Sequence, residues 1–324
     1  MLNHYMPVQS IKSDIRRILC IRTDRIGEFL LTIPAIEHLK QIFPLARITL
    51  LAQTSNITLM HSTPCIDNWM DYERMPKTPW GLAAALKKEH FDLAVAFHPH
   101  KLFHQALFLA GIPHRAGYPH KWGFLLNIPG QETELFRRAH EVERNLLLLN
   151  PKLATDKIPS PRLPWNERSN LYHILEEHGV RSLAPFVIIH PFTSNPQKEV
   201  PFRFWEKVID RVTSNGHTAL LIGQENEYQK SLFRNIKKPG VVSLAGRLEL
   251  RATANLIRHF CSYYIGLDSG PFHMASLAGV PLSVIFRFPD TVRRWGPFFN
   301  RNSAQVLIYE NKNEDFLVRK ISLP

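Results

Sequence analysis

The sequence predicts an α/β protein of two Rossmann-like domains, each a parallel sheet with helices on both faces, the two facing a central cleft. Three observations predict it. Short β-branched or apolar runs alternate with longer amphipathic segments, the pattern of parallel strands joined by crossover helices. That alternation halts at a segment holding Pro151, Pro159, Pro161 and Pro164, then starts afresh. The chain has 324 residues, 44% of them apolar and 21% charged, enough for two domains with a core each.

In the first half, strands are expected at residues 17–22, 47–52 and 92–97. Ile26, Leu30, Ile33, Ala35, Ile36 and Leu39 recur at helical spacing, which predicts a long helix after the first strand. Residues 118–130 read as a loop carrying a short strand. Proline blocks helix interiors and central strands alike, so residues 150–165 read as the interdomain connection, with domains at 1–162 and 163–324. A helix fits 166–178, closed by Gly179. The second half offers strands at 185–190, 218–222, 241–244, 263–267 and 282–286. Helices fit 202–214, 252–260 and 271–278. In open parallel sheets, ligands sit beyond the carboxyl ends of the strands, so chemistry is expected in the loops that follow them.

The formal net charge is +12 and the pI is near 9.7. That balance favours anionic partners: nucleotide phosphates, nucleic acid or an anionic membrane face. Basic residues are spread thinly apart from pairs such as Arg137-Arg138 and Arg293-Arg294. No aromatic platform interleaves with them, so nucleic acid is not the expected partner. No apolar run approaches the roughly 18 residues of a membrane span. Met1 to Ser10 lacks a basic-then-apolar leader pattern, which makes the cytoplasm the expected location. Cys20, Cys65 and Cys261 are far apart, form no CxxC pair and read as reduced, packed thiols.

Four loops carry candidate chemistry. After the first strand comes Arg22-Thr23-Asp24-Arg25-Ile26-Gly27-Glu28. Gly27 lets the backbone turn tightly, and a carboxylate at Glu28 could take a proton from an incoming hydroxyl. Complementing the positive helix end is the plainer role for Glu28. In the second half, His190-Pro191-Phe192-Thr193-Ser194-Asn195-Pro196-Gln197-Lys198 offers hydroxyls and a cation suited to a diphosphate. Gly223-Gln224-Glu225-Asn226-Glu227 offers carboxylates that suit ribose hydroxyls, or a solvated turn. In Asp268-Ser269-Gly270-Pro271-Phe272-His273, a small-residue turn leads into a helix whose first amides can face an anion. Asp268 or Ser269 as a simple cap, with His273 packed inside, is the alternative. His98, His100 and Lys101 follow the strand at 92–97 and face the same cleft from the first domain. With His104 the histidines invite a zinc site, but no carboxylate or thiol completes it, so no metal is expected. There is no GxGxxG fingerprint and no GxxxxGK[ST] loop, which removes the main support for dinucleotide and P-loop readings.

Taken in order and spacing, these loops resemble the heptosyltransferases of lipopolysaccharide biosynthesis, glycosyltransferase family nine. Ile21 to Glu28 with Leu31-Thr32-Ile33-Pro34-Ala35 carries the resemblance. So do His190 to Lys198, Gly223 to Glu227, Asp268 to Ala275 with Gly279-Val280-Pro281, and Arg294-Trp295-Gly296-Pro297. The resemblance implies a GT-B fold and an inverting transfer, without metal or other cofactor, of a sugar from a nucleotide-diphosphate donor, typically ADP-heptose. It implies a lipid-linked or oligosaccharide acceptor and peripheral contact with the anionic inner membrane. By the same resemblance Thr193, Ser194 and Lys198 hold the diphosphate, and Glu227 the ribose. Asp268, Ser269, Gly270 and His273 form the donor loop, Glu28 is the general base, and Gly27, His98, His100 and Lys101 line the acceptor side. The family usually has Asp where this chain has Glu28. The added methylene displaces the carboxylate by up to roughly 1.5 Å. A misplacement near 1 Å can cost on the order of 100-fold in rate. Asp24 is therefore a substitute candidate. A second departure is the short tail after Tyr309, which leaves little chain for a long returning helix. A non-catalytic nucleotide-sugar binder of the same fold is the rival that Glu28 motivates. A nucleic-acid binder is the rival that the charge motivates.

Overall fold

The computed structural model describes residues 7–11, 14–153, 158–178, 180, 186–224, 236 and 238–324. The chain divides into two compact units, Met1–Pro164 and Trp165–Pro324, against the expected boundary at 162/163. Among the described residues each unit holds one six-stranded sheet. In the first unit the strands are β1 (Arg17–Ile21), β2 (Arg47–Ala52), β3 (Asn68–Asp71), β4 (Leu93–Ala96), β5 (His114–Gly117) and β6 (Ile128–Pro129). Their order is β3-β2-β1-β4-β5-β6, with every pairing parallel. In the second they are β7 (Phe186–His190), β8 (Ala219–Leu221), β9 (Val241–Ser243), β10 (Cys261–Leu267), β11 (Leu282–Phe286) and β12 (Ala304–Ile308). Their order is β12-β11-β10-β7-β8-β9, again parallel throughout. Both sheets therefore wind outward in two directions from a reversal point, between β1 and β4 in one and between β7 and β10 in the other. Loops leave in opposite directions there, which opens a crevice at the carboxyl ends of the strands.

Central strands of a parallel sheet are covered on both faces and read as continuous apolar runs. Phe186–His190 is buried along its whole length, and Ile18 to Ile21 likewise. In the first unit Leu19, Ile21, Ala94 and Ala96 pack against Leu82, Leu86, Phe103 and Leu107 from two helices. In the second, the helix Phe202–Ser214 turns Phe204, Trp205, Val208, Ile209 and Val212 onto Val187, Ile189 and Leu221. Burying a side chain of this size stabilises by about 1.5–3 kcal/mol.

The structure corrects the single long helix expected across Ile26 to Leu39. Two helices stand there, Ile26–Leu30 and Ile33–Ile42, with Thr32 between them and Pro34 in the first turn of the second. Pro34 has no N–H to continue the first helix, and its ring disfavours an unbroken turn. The break is held by hydrogen bonds. Thr32 Oγ1 donates to Glu28 O at 2.8 Å, and Asn145 Nδ2 donates to Leu31 O at 3.2 Å. The helix expected at 166–178 spans Ser169–Glu177; Gly179, its expected cap, and Pro185, the expected strand start, lie outside the described residues. After Tyr309 the chain forms the short helix Glu314–Lys320, which lies on Phe202–Ser214. Arg203 meets Glu314 at 3.0 Å and Lys207 meets Asp315 at 2.6 Å. Among the described residues no helix is long and apolar enough to cross a membrane.

Candidate active site

In the first unit the loops leaving β1 and β4 are bonded together at the reversal point. Phe97 and His98 N–H both donate to Ile21 O, at 3.0 and 3.2 Å. Arg22, the residue after β1, is buried and donates from one terminal nitrogen to Phe97 O at 2.7 Å. Its guanidinium also meets two carboxylates, Asp24 at 2.8 Å and Glu141 at 3.1 Å. Glu141 opens the helix Glu141–Leu149, whose start is fixed by reciprocal bonds between His140 and Glu143. The Asp24 carboxylate is thus engaged with Arg22, although burial still raises its pKa above the usual value.

Glu28 differs. It lies in the first turn of Ile26–Leu30, half-buried, beside the buried Gly27. Its carboxylate forms no ion pair among the described residues. Burial raises its pKa above 4.5 and the neighbouring Asp24 adds to that, against the pull of its own backbone N–H, Arg22 and Arg25. A half-buried, unpaired carboxylate with a raised pKa has the properties of a general base. In the same loop, Thr23 Oγ1 lies 3.0 Å from Nδ1 of His98, which follows β4. Burial, with help from Arg22 and His100, lowers the His98 pKa to about 4, so the ring is neutral. His100 Nδ1 accepts from Leu102 N–H at 3.3 Å and so caps the helix Lys101–Leu109, from which Lys101 extends exposed. His104 Nδ1 is 3.1 Å from Lys121 O. Each of the three rings has a separate task, and among the described residues no group of three His, Cys, Asp or Glu side chains is placed to hold a metal ion.

In the second unit the loops leaving β7 and β10 come together in the same way. Asn195 caps the short turn Pro196–Lys198 by accepting from Gln197 N–H. That turn sends Lys198 to the loop after β10, where Nζ lies 2.5 Å from Asp268 Oδ2. Asp268 is buried and Lys198 partly so. Ser269 follows at the start of the helix Gly270–Leu277. Its hydroxyl turns back to Leu267 O and to His190 Nδ1, at 3.0 and 3.1 Å, so Ser269 does not cap the helix with its side chain. His273 is enclosed, with Nε2 3.9 Å from Asp268 Oδ1. Burial and the Lys198 charge push its pKa down to about 3, and burial does the same to His190. Both rings are neutral, so the cation of this loop pair is Lys198. Thr193 Oγ1 accepts from Asn195 N–H at 3.3 Å, and Ser194 is exposed. Gly223 has φ +156°, and a Cβ there would stand 2.3 Å from the Phe192 ring. Glu227 lies outside the described residues.

A helix start that Ser269 leaves without a side-chain cap, beside a lysine, suits a diphosphate, because the amide end of a helix and an ammonium both favour negative charge. The comparisons with known proteins give the family. The model of "Glycosyltransferase family 9 (heptosyltransferase)" matches residues 80–320. The chain belongs to glycosyltransferase family 9. Lipopolysaccharide heptosyltransferase 3 of Escherichia coli K12 is 24% identical to this family 9 chain over 294 residues, 84% of this chain and 82% of its own. Among solved structures, a family 9 glycosyltransferase from Veillonella parvula superposes with a TM-score of 0.78 at 19% identity, covering 96% of this chain and 93% of its own. The E. coli ADP-heptose lipopolysaccharide heptosyltransferase II gives 0.78 at 18%, covering 94% and 96%. The fold is accordingly GT-B, two Rossmann-like units in one chain.

Three residues of these two loop clusters had no assigned role in the sequence. Arg22 was visible only as a basic residue after a strand. Glu141, 119 positions away, left no local signal of their pairing. The signal for His190 was its place as the last residue of an apolar strand, which is where a sheet presents side chains to a ligand.

Proposed function

We propose that this chain transfers a heptosyl group from ADP-heptose to a lipopolysaccharide-core acceptor, inverting the anomeric centre. The observation that carries the reading is the Lys198–Asp268 pair at the start of Gly270–Leu277, which Ser269 leaves without a side-chain cap. It supplies what a departing diphosphate needs: a cation and the amide end of a helix, fixed in advance. Membership of family 9 and the printed activities of the heptosyltransferase relatives support the choice of sugar and donor. The donor belongs to the second unit, with Lys198, Thr193, Ser194, Ser269 and Gly270 on the diphosphate and Glu227 on the ribose. Asp268 orients the ammonium, and His273 backs Asp268. The acceptor belongs to the first unit, beside Gly27, His98, His100 and Lys101. Glu28 removes the acceptor hydroxyl proton as the sugar–phosphate bond breaks. A lipid-linked acceptor places the protein peripherally at an anionic membrane.

The test is incubation with ADP-heptose and a deacylated core oligosaccharide, with product read by mass spectrometry. Transfer is expected, and Lys198→Ala should lose it about 100-fold or more, the scale of removing one fixed donor to a developing charge. Tight ADP-heptose binding with no transfer would instead make the chain a binder. Normal turnover in Lys198→Ala would remove that lysine from the mechanism.

A further inference from the structure

Beside the acceptor loops of the first unit, residues 118–127 lie on the helix Lys101–Leu109. His104 meets Lys121 O there, and Arg115 donates to Leu125 O at 2.9 Å and to Ile112 O at 2.6 Å. The underside of this loop is buried at Gly123 and Leu126. Its outer side carries Trp122 and Phe124, 49% and 77% exposed, with ring centroids 5.6 Å apart. Phe108, on the adjoining helix, is 51% exposed and lies under the Arg115 guanidinium. Single exposed apolar residues are ordinary; a cluster of large rings rimmed by polar groups marks an interaction surface.

The backbone points the same way. Lys121 and Trp122 are consecutive non-glycine residues at φ +52° and +74°. Side chains with a Cβ disfavour that region, so the fold is holding a turn that sends Trp122 outward while Gly123 tucks beneath it. The charge on this face is chiefly basic, from Lys101, Lys121 and Arg115, while the nearby Glu132 is paired with His120. Amphipathic rings with cations beside them match the boundary of a bilayer, where aromatic side chains sit at headgroup depth and Lys or Arg meets anionic phosphates.

We propose that Trp122, Phe124 and Phe108 form a docking surface for an anionic lipid bilayer, with Lys121, Lys101 and Arg115 on the headgroup phosphates. The choice of a bilayer as the occupant rests on the lipid-linked acceptor of the proposed function. His100 caps the helix Lys101–Leu109 whose last turn carries Phe108, so docking through this face brings the acceptor-side loops towards the lipid surface.

The full-length chain is sedimented with phosphatidylcholine vesicles, with and without one part in three of phosphatidylglycerol. Binding is expected with the anionic vesicles and should weaken with salt. In Trp122→Asn/Phe124→Ser the bound fraction should fall about tenfold, the scale of losing two partly inserted rings. Asparagine is used because it tolerates positive φ. Unchanged far-ultraviolet dichroism in the double variant shows that the loss is not unfolding. Brominated lipid should quench a tryptophan emission component that Trp122→Asn lacks. Absence of wild-type sedimentation, or equal sedimentation of the double variant, overturns the proposal. So does a lipid-free dimer that the double variant abolishes, which would make this face an interface between copies. Transfer to a deacylated, water-soluble acceptor is measured alongside. It tests the transferase reading alone, so the two can fail separately.

Discussion

Asp24 and Glu28 stand four positions apart in one loop, yet their surroundings give them different work. Asp24 faces the buried Arg22 guanidinium, while Glu28 has no partner of that kind among the described residues. A base acts when deprotonated, and burial holds the Glu28 pKa above 4.5. As pH falls through that raised value, kcat/KM should fall with it. The acidic limb should therefore lie above the range of an ordinary carboxylate. Glu28→Gln should lower kcat by about 100-fold or more and abolish the limb. A pH–rate profile decides it. If the limb survives in Glu28→Gln and disappears in Asp24→Asn, the base is Asp24.

At the scale of elements, legibility followed burial. Strands with a neighbour on each side, such as β2, β7 and β11, are buried almost throughout and mostly apolar, and the sequence located them to within a residue. The edge strands Asn68–Asp71 and Ala304–Ile308 were missed, while the edge strand Val241–Ser243 was located. Asn68–Asp71 and Ala304–Ile308 are only partly buried, so polar residues interrupt the pattern. The split at Thr32 was missed because the apolar spacing runs through it unbroken. Pro34 was its one local sign; the bond Asn145 adds comes from 114 positions away, where no local pattern could announce it. Candidate loops were easier to read than elements, since a parallel sheet dictates where they must be. One of them depends on a backbone that sequence shows only as a glycine. Gly223 sits at φ +156° with Phe192 against it. Gly223→Ala should destabilise by about 1–3 kcal/mol, from strain and overlap together. Adding Phe192→Ala should relieve the overlap but not the backbone strain. Urea unfolding of the three chains separates the two effects.

For the whole molecule, the same winding occurs twice, and each copy spends its reversal point on charge: Arg22 with two carboxylates in one unit, Lys198 with one in the other. The second copy also buries two neutral histidines, His190 and His273, whose pKa values fall from 6.5 to about 3. Between those values the unfolded chain binds protons that the folded chain does not. Stability should therefore rise with pH across this window and drain away as pH falls, by up to about 1.4 kcal/mol per pH unit for each ring. The raised carboxyls of Asp24, Glu28 and Glu37 act in the opposite sense, favouring the fold at low pH and losing that contribution as pH rises through their raised values. The histidine part is isolated by comparing Tm against pH for the wild type and His190→Gln, whose curve should be shallower below pH 6.5. The pairing of Lys198 with Asp268 has a consequence for the resting protein. An ammonium already matched by a carboxylate offers little net attraction to chloride or free phosphate passing by. Only a visitor that also reaches the amide end of the adjoining helix gains enough to share the lysine, so small bystander anions should inhibit this chain weakly.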